Sequence, residues 1–522
     1  MSRAAWLAVI AAVAAGFRAG GRPAEAGRPA ARADVLQILQ EAEHAARAVP
    51  GGGGGAPDPE IAVARALAGD IPGGLALARR LNGGKGNAWA LGAIAILQAN
   101  VGDLQGAKKA IPSAGLIQGP YVRMNIAAAQ IAAGNLKGAL ATAKAMGGDI
   151  DQYMVFTEIA AAHARAGDVK AARETAALIP EDFFRAQAVV GIAVAQAETG
   201  DFAGARSTVK TMEDAASEVR ALVQIAERQK RTGHTTEAAA TYQEARQIAD
   251  LTVDVGAKIQ SLRCIADSQV ASGDKAAAAA TYRRAAAVAA RLGYGGGSGV
   301  GLLNEIAIAQ AKAGDAGSAE TFAQAAEIAN SIPNPETRTY TLMQVALARA
   351  QIADSARAAK LLREALGQVS DTKTMGVQSL LPQVAIAQAR AGDAAGARQT
   401  ANLVEHEGER AMRLVDVARA LAKAGDVKSA LEIAQAIASP IYRAEALQKV
   451  AAAQAVAGHG KEALSWARQR PAPLERSSAL LGVAQGMLYR TDLEEAKRTG
   501  KPVREPPWDI WPPLAEGPAS GG

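Results

Sequence analysis

The segment Ile192-Ala193-Val194-Ala195-Gln196-Ala197-Glu198-Thr199-Gly200-Asp201-Phe202-Ala203-Gly204-Ala205 is one copy of a pattern that recurs thirteen times between about residue 58 and residue 497. Repetition at this period is typical of arrays in which each unit buries its apolar face only against its neighbours. The recurrence therefore predicts a fold built by stacking similar units.

The copies align on a small turn residue, which is glycine in eleven of the thirteen units. Alanine always lies seven residues before this anchor, and Ile or Val always lies eight before it. Offsets of eleven, eight, seven and four residues form the i, i+3, i+4, i+7 stripe of an amphipathic helix, here named helix A. The anchors are Gly69, Gly102, Gly134, Gly167, Gly200, Gly233, Gly273, Gly314, Ala353, Gly392, Gly425, Gly458 and Thr491.

A second helix, here named helix B, is predicted after each anchor. Glycine past a periodic run supplies the left-handed conformation that ends a helix, and the aspartate that follows the anchor in ten units is a good N-cap. Alanine lies five residues after the anchor in twelve units. Methyl groups at both fixed positions let two helix backbones approach closely. The sequence thus predicts an all-α superhelix, or solenoid, of about thirteen helix-turn-helix repeats.

Glutamine interrupts the apolar stripe of helix A at the fourth position before the anchor in eight units. Because buried amides need hydrogen-bond partners, we interpret these glutamines as structural groups that bind a neighbouring turn. The alternative is a ladder that reads a ligand. The eight residues are Gln98, Gln130, Gln196, Gln229, Gln269, Gln310, Gln388 and Gln454.

Helix pairs with a small residue on helix A, Gly-Asp at the turn and Ala on helix B resemble tetratricopeptide repeats. The resemblance covers roughly 440 residues and is of a divergent bacterial type, because Gln stands on helix A where the motif has a tyrosine. Aromatic residues lie on helix B instead, at Tyr242, Tyr282 and Phe322. Pentatricopeptide-like and HEAT-like repeats are the nearest alternatives. The resemblance implies that helix A residues line a concave groove.

Seven polar residues are the candidate peptide-binding site. They lie thirteen, ten, six or three residues before the anchor, on the face that the tetratricopeptide resemblance assigns to the groove. In most units this face is small or apolar. Mixed charges at successive repeats can pair with an extended peptide, or with each other as intramolecular salt bridges. The residues are Arg220, Glu227, Lys230, Gln260, Arg263, Asp267 and Asn304.

The ends of the chain differ in composition from the array. Residues 1–16 carry one arginine before an apolar run and are predicted to be a secretory signal peptide, too short for an ordinary membrane span. Residues 17–33 are predicted to be a disordered linker, 34–49 an isolated or capping helix, and 50–57 a Gly/Pro linker. The repeats occupy 58–497, with longer ones at about 234–391, and a Pro/Trp-rich tail follows at 498–522.

Composition and motifs restrict the function. A net charge of +6 over 522 residues, without a dense basic run, does not imply nucleic acid. The single cysteine, Cys264, is expected to be a small buried residue, and the five histidines have no metal-ligand spacing. We therefore expect no catalytic residue, metal or cofactor, and no stable membrane span once the signal peptide is removed.

The expected function is a non-catalytic scaffold for a protein or peptide partner, exported to the bacterial periplasm or cell envelope. Two alternatives stay open. An enzyme could build its cleft from several repeats, which would require paired acidic residues in one groove. A pentatricopeptide-like protein could bind RNA, which would require cytoplasmic location and polar base-reading residues in most units.

Export predicts that residues 1 to about 15 are absent from the mature protein, because a signal peptidase cuts after small residues that follow an apolar run. Mass spectrometry of the native protein checks this. A soluble cytoplasmic product that begins at Met1 or Ser2 would contradict both the signal peptide and the envelope location.

Overall fold

The computed structural model describes residues 29–49, 57–81, 86–148, 150–293, 298–352, 355–367 and 375–499. Within these residues the backbone forms 25 α-helices and no strand. None of these helices is both long and apolar enough to cross a membrane. The chain divides into unit 1, residues 1–125 and 447–522, and unit 2, residues 126–446. The all-α repeat class predicted from the sequence is confirmed.

The helices follow the predicted A and B order along the chain. They are α1 (Pro29–Arg47), α2 (Asp58–Leu67), α3 (Ile71–Arg80), α4 (Ala88–Asn100), α5 (Leu104–Ala132), α6 (Leu136–Lys144), α7 (Ile150–Arg165), α8 (Val169–Ala176), α9 (Asp182–Glu198), α10 (Phe202–Val209), α11 (Ala215–Arg231), α12 (Thr235–Leu251), α13 (Val255–Ala271), α14 (Lys275–Gly293), α15 (Ser298–Lys312), α16 (Ser318–Asn330), α17 (Pro335–Ala350), α18 (Ser355–Gly367), α19 (Met375–Arg390), α20 (Ala394–Asn402), α21 (Glu407–Lys423), α22 (Val427–Gln435), α23 (Pro440–Ala457), α24 (Gly460–Arg468) and α25 (Pro473–Thr499).

One helix spans two predicted elements. The second helix B and the third helix A form the single 29-residue helix α5, which contains Pro112 and Pro120. Helices B are 13 to 19 residues long from α12 to α18, whereas α8 and α10 have 8 residues each. The additional residues of the long repeats thus lengthen helix B in this part of unit 2.

Each glycine anchor ends helix A in the left-handed conformation that the sequence predicts. All eleven have positive φ, for example +86° at Gly200. The N–H of Asp201 then donates to the carbonyl of Gln196 at 2.9 Å, which satisfies one free carbonyl at the end of helix A. The Asp201 carboxylate accepts from the N–H of Gly204 at 2.8 Å and caps helix B. One residue therefore caps both helices of the repeat.

The glutamine before the anchor completes this arrangement, which we name the turn clasp. The Gln196 amide donates to Asp201 Oδ2 at 3.1 Å and accepts from Thr208 Oγ1 on helix B at 2.7 Å. A Cβ at Gly204 would lie 2.5 Å from the Gln196 amide nitrogen, so glycine leaves room for it. Equivalent threonine bonds are made to Gln130, Gln229, Gln269 and Gln310. At these repeats the glutamine ladder is structural, as we interpreted it.

Alanine contacts form much of the core of unit 2. Ala193 and Ala205, the fixed alanines of one repeat, are fully buried in the same cluster as Leu222 and Ile225 of the next repeat. The eighth repeat departs from the pattern. Asp315 caps α16 through the N–H of Gly317, and Ser318 occupies the buried position while Ala319, predicted to pack there, is exposed. A shorter turn has moved the register of α16 by one residue.

The first and last described helices pack together within unit 1. Val35, Ile38 and Leu39 of α1 share a core cluster with residues of α2 and of α25, including Leu481. The helix predicted at 34–49 is therefore not isolated, and it begins at Pro29, inside the stretch predicted to be a disordered linker. The signal peptide, most of the Gly/Pro linker and the tail with Trp508 and Trp511 lie outside the described residues.

The thirteenth repeat lacks the predicted turn. Its anchor is Thr491, and α25 continues without a break to Thr499, so the helix B predicted after this anchor belongs to the same helix as helix A. A β-branched residue does not readily adopt positive φ, which explains why the helix passes through this position. The prediction that a separate helix B follows the thirteenth anchor is wrong.

Replacing Ala307 by leucine should overpack the α15–α16 crossing. Ala307 has no exposed surface, and its carbonyl accepts from Ser318 Oγ at 2.8 Å, which places α16 directly against it. We expect a loss of about 1 to 3 kcal/mol in the free energy of unfolding, measured by urea denaturation. The matched control is Ala319→Leu on the exposed side of α16, expected within about 0.5 kcal/mol of the parent. Equal midpoints for the two variants would contradict the crossing.

Candidate functional site

The seven candidate residues lie on three helices A of unit 2. The helix α11 carries Arg220, Glu227 and Lys230, α13 carries Gln260, Arg263 and Asp267, and α15 carries Asn304. Gln260, Lys230 and Asp267 are exposed, whereas Asn304 is buried. The seven residues therefore lie on three successive helices A, as the repeat alignment predicts.

Two of the arginines connect neighbouring helices A. Arg220 on α11 donates to the Gln187 side-chain oxygen on α9, and Arg263 on α13 forms an ion pair with Glu305 on α15. The Arg263 side chain is 22% exposed and that of Glu305 is 49% exposed. The intramolecular salt bridge considered as an alternative to peptide binding is therefore present for Arg263, whereas Arg220 makes a hydrogen bond to a neutral amide. Both contacts hold the guanidinium groups in fixed positions.

Asp267 accepts a hydrogen bond from the hydroxyl of Tyr282, which lies on helix B of the same repeat. Burial, followed by this hydrogen bond and the negative charge of Asp267, raises the pKa of Tyr282. The phenol therefore stays protonated and donates. Lys230 extends across to the next repeat, where its ammonium donates to the carbonyl of Ser272 at 3.3 Å.

Unused hydrogen-bonding atoms remain in this region. The side chain of Asn304 is 6% exposed, and its Oδ1 has no hydrogen-bond partner among the described residues. The same is true of the Nε of Arg263, on the neighbouring helix A. A buried polar atom without a hydrogen-bond partner carries a free-energy cost. A bound group that formed a hydrogen bond with either atom would remove that cost and stabilise the complex.

A cavity of about 260 Å³ lies between the turns of the seventh and eighth repeats. Half of its ten lining residues are alanine, and Tyr282 forms part of its wall. Lys275 and Asp315 supply the only charged side chains of the lining. Val270, which also lines the cavity, lies three residues after Asp267 on α13 and so on the same side of that helix.

A charge ladder beside this site was missed at the sequence level. Glu198 on α9 accepts from Arg165 of the preceding repeat at 3.0 Å and from Arg228 of the following repeat at 2.9 Å. Burial alone would raise the pKa of Glu198, but the hydrogen bonds from these two arginines lower it. The signal was opposite charges separated by about one repeat, 30 and 33 residues apart. A search for such pairs in the aligned repeats would have found them.

Helices B carry a matching set of pairs away from the candidate site. Arg206 on α10 pairs with Glu244 on α12, and Arg284 on α14 pairs with Asp250 on α12. All four side chains are one-third to one-half exposed. These pairs resemble the Arg263–Glu305 pair in chemistry and span the same kind of interface, so they provide internal controls.

The described part of the chain holds no group of three or more His, Cys, Asp or Glu side chains placed to bind a metal ion. The cysteine lies instead among the candidate residues. Cys264 packs against the core cluster of α11, and the charges of Arg220, Asp267, Glu227 and Arg263 all act on it. Its position makes it a natural reporter of this face.

No family model matches the chain, and no curated protein is similar to it. Among solved structures, it is similar to Ton1535 from Thermococcus onnurineus NA1, with 17% identity over 63% of this chain and 98% of that one and a TM-score of 0.24. It is also similar to a circular tandem repeat protein with novel repeat topology and enhanced subunit contact surfaces, with 14% identity over 90% of this chain and 99% of that one and a TM-score of 0.15. Neither score supports an inference about function.

Cys264 should react slowly with alkylating reagents in the native protein. Burial raises the pKa of its thiol to about 11, above the usual value of 9.0. Because the thiolate is the nucleophile, a shift of about two units lowers the reactive fraction at pH 8 by about a hundredfold. We expect iodoacetamide labelling at pH 8 to be slower by at least this factor in the native than in the urea-unfolded protein. Labelling rates within threefold of each other would contradict the burial of this thiol.

Proposed function

We propose that the protein is a non-catalytic scaffold that binds an extended segment of a protein partner along helices A of unit 2. The observation that carries this proposal is the run of polar side chains on α11, α13 and α15, on a face that is otherwise small and apolar. A scaffold of the tetratricopeptide type uses this face, and the proposal includes that relationship.

The fixed geometry of the polar residues supports binding. Arg220 and Arg263 are each held by one acceptor, Gln187 and Glu305 respectively, and a guanidinium has five N–H donors. Donors therefore remain for backbone carbonyls or carboxylates of a partner. The intramolecular bonds reduce the rotamer entropy that binding would otherwise cost.

The cavity beside Tyr282 supports a mixed recognition mode. A space of about 260 Å³ accommodates an apolar side chain, and Lys275 and Asp315 of its lining carry opposite charges. Asp267 accepts a hydrogen bond from Tyr282, which is part of the same lining. Recognition sites typically combine an apolar pocket with a few polar groups that fix orientation. We propose that one apolar side chain of the partner enters this cavity and that its flanking backbone contacts the polar face.

We also propose that the protein acts in the bacterial periplasm or cell envelope, after removal of the signal peptide predicted at residues 1–16. Those residues lie outside the described part of the chain. The support is therefore the sequence alone, an arginine followed by an apolar run that ends in small residues.

Replacing Arg220 and Arg263 together by alanine should weaken partner binding more than it weakens the fold. Exposed ion pairs contribute about 0 to 1 kcal/mol each to stability, whereas loss of a desolvated charge at an interface costs about 2 to 5 kcal/mol of binding. The control replaces Arg206 and Arg284, which form ion pairs with Glu244 and Asp250 on helices B. Thermal unfolding and partner capture from envelope extract are measured for both double variants.

Equal stability losses in the two double variants, with capture retained in both, would show that the arginines are a structural network only. A direct test of contact uses a photoreactive maleimide at Gln260→Cys in a Cys264→Ala background. Gln260 is exposed on α13, and Arg283→Cys on α14 provides an exposed control position. The proposal requires a crosslinked partner from position 260 that is absent from position 283.

A further inference from the structure

In the last repeat, the place of helix B is taken by α1, a helix from the N-terminal part of the described chain. Because α25 runs straight through the missing turn, no helix B follows it within the described residues. The helix α1 packs against α25 in the way that helix B packs against helix A elsewhere. The hydroxyl of Ser477 on α25 donates to the carbonyl of Ala42 at 2.8 Å, 435 residues earlier in the chain. A serine-to-carbonyl bond also joins α16 to α15, although there the donor, Ser318, lies on helix B and the acceptor, Ala307, on helix A.

The packing face of α1 is a complete amphipathic stripe. Val35, Ile38, Leu39, Ala42 and Ala46 are each at most 4% exposed and follow the i, i+3, i+4, i+7 spacing. They belong to one cluster with residues of α2, α24 and α25. Gln37 and Gln40, on the opposite face, are exposed. The apolar content of α1 is therefore matched to one groove in unit 1.

Charged residues fix the register of α1 in this groove. Arg468, the last residue of α24, binds both carboxylate oxygens of Glu41, at 2.9 and 2.8 Å. On the other side, the buried Glu43 accepts from Arg65 of α2 at 2.9 Å and from Arg80 of α3 at 3.3 Å. Specific ion pairs on both flanks select one position of the helix along the groove.

We propose that α1 is a strap, a separable helix that docks in a groove formed by α2, α24 and α25 and completes the thirteenth repeat. The groove thereby acts as a helix-binding site whose occupant is α1 of the same chain. Residues 48–57 connect α1 to α2 in the same chain. A connection this short keeps the local concentration of α1 at the groove in about the millimolar range, so docking can be reversible and still nearly complete. Release of α1 would expose the apolar side chains of Leu481 and Ala467. Docking of α1 therefore determines whether the last helix A has a partner helix packed against it.

The test uses the full chain with a protease recognition sequence inserted in the glycine run at residues 51–55. After cleavage under native conditions, size-exclusion chromatography at two protein concentrations measures whether the N-terminal piece remains with the body. We expect co-elution, with a bound fraction that rises with concentration. An excess of synthetic peptide covering residues 29–47 should displace the piece, because both occupy the same groove.

Two variants separate packing from tethering. Leu39→Asp buries a charge in the groove, and its cleaved piece should separate from the body, while Gln40→Asp on the exposed face should remain bound. Circular dichroism of the uncleaved variants establishes that the repeats stay helical. Separation of the parent piece at both concentrations would overturn the proposal, as would equal retention of the Leu39→Asp and Gln40→Asp pieces. The proposal would also be overturned if the uncleaved protein were a dimer in which each α1 docks in the groove of the other copy.

Discussion

The turn clasp is the interaction on which the rest of the array depends. One residue, such as Asp201, gives its N–H to the end of helix A and its carboxylate to the start of helix B. The buried amide of Gln196 then joins that carboxylate to a threonine on helix B, so the angle between the two helices is fixed by directional bonds. Alanine at the crossing supplies little directional information, because a methyl group packs in many orientations. The clasp therefore provides the specificity that small apolar side chains cannot.

The clasp also explains how a chain with few large core residues forms a regular structure. Only 4% of its residues are aromatic, and each alanine contact buries a small area. Close approach compensates in part, because short side chains permit many backbone and methyl contacts at each crossing. The glycines of α25 are the extreme case. A Cβ at Gly482 would lie 2.1 Å from the carbonyl oxygen of Gln448, so α25 lies directly on the backbone of α23.

Local features of the fold could be predicted from the sequence, and long-range ones could not. Glycine at the anchor predicts positive φ because few other residues adopt it, and all eleven predictions hold. The thirteenth anchor also carried its signal, since Thr491 is a poor residue for that conformation. The docking of α1 had no such signal, because Ser477 and Ala42 are joined by tertiary packing across 435 residues. Helical periodicity identifies an apolar stripe but does not identify what covers it.

The candidate site shows the same limit. Repeat alignment predicted that Arg263 and Asp267 share a face, but it gave no information on the side-chain partners Glu305 and Tyr282. The charge pairs that connect repeats could have been found by comparing equivalent positions one repeat apart. Unused acceptors such as Asn304 Oδ1 could not, because they depend on which neighbours fail to reach them.

The long repeats and the polar face are connected through the aromatic residues of helix B. Where a short repeat has a small residue such as Val209, the long repeats have Tyr242 and Tyr282. A tyrosine reaches past the alanine layer to helix A: Tyr242 shares a hydrogen bond with Ser268 at 2.8 Å, and Tyr282 donates to Asp267. Ser268 and Asp267 are adjacent on α13, so two successive helices B place hydroxyl groups against one turn of this helix, at the buried Ser268 and at the exposed Asp267. Replacing Tyr282 would therefore also remove support from Asp267, because the same side chain packs in the core and orients the face.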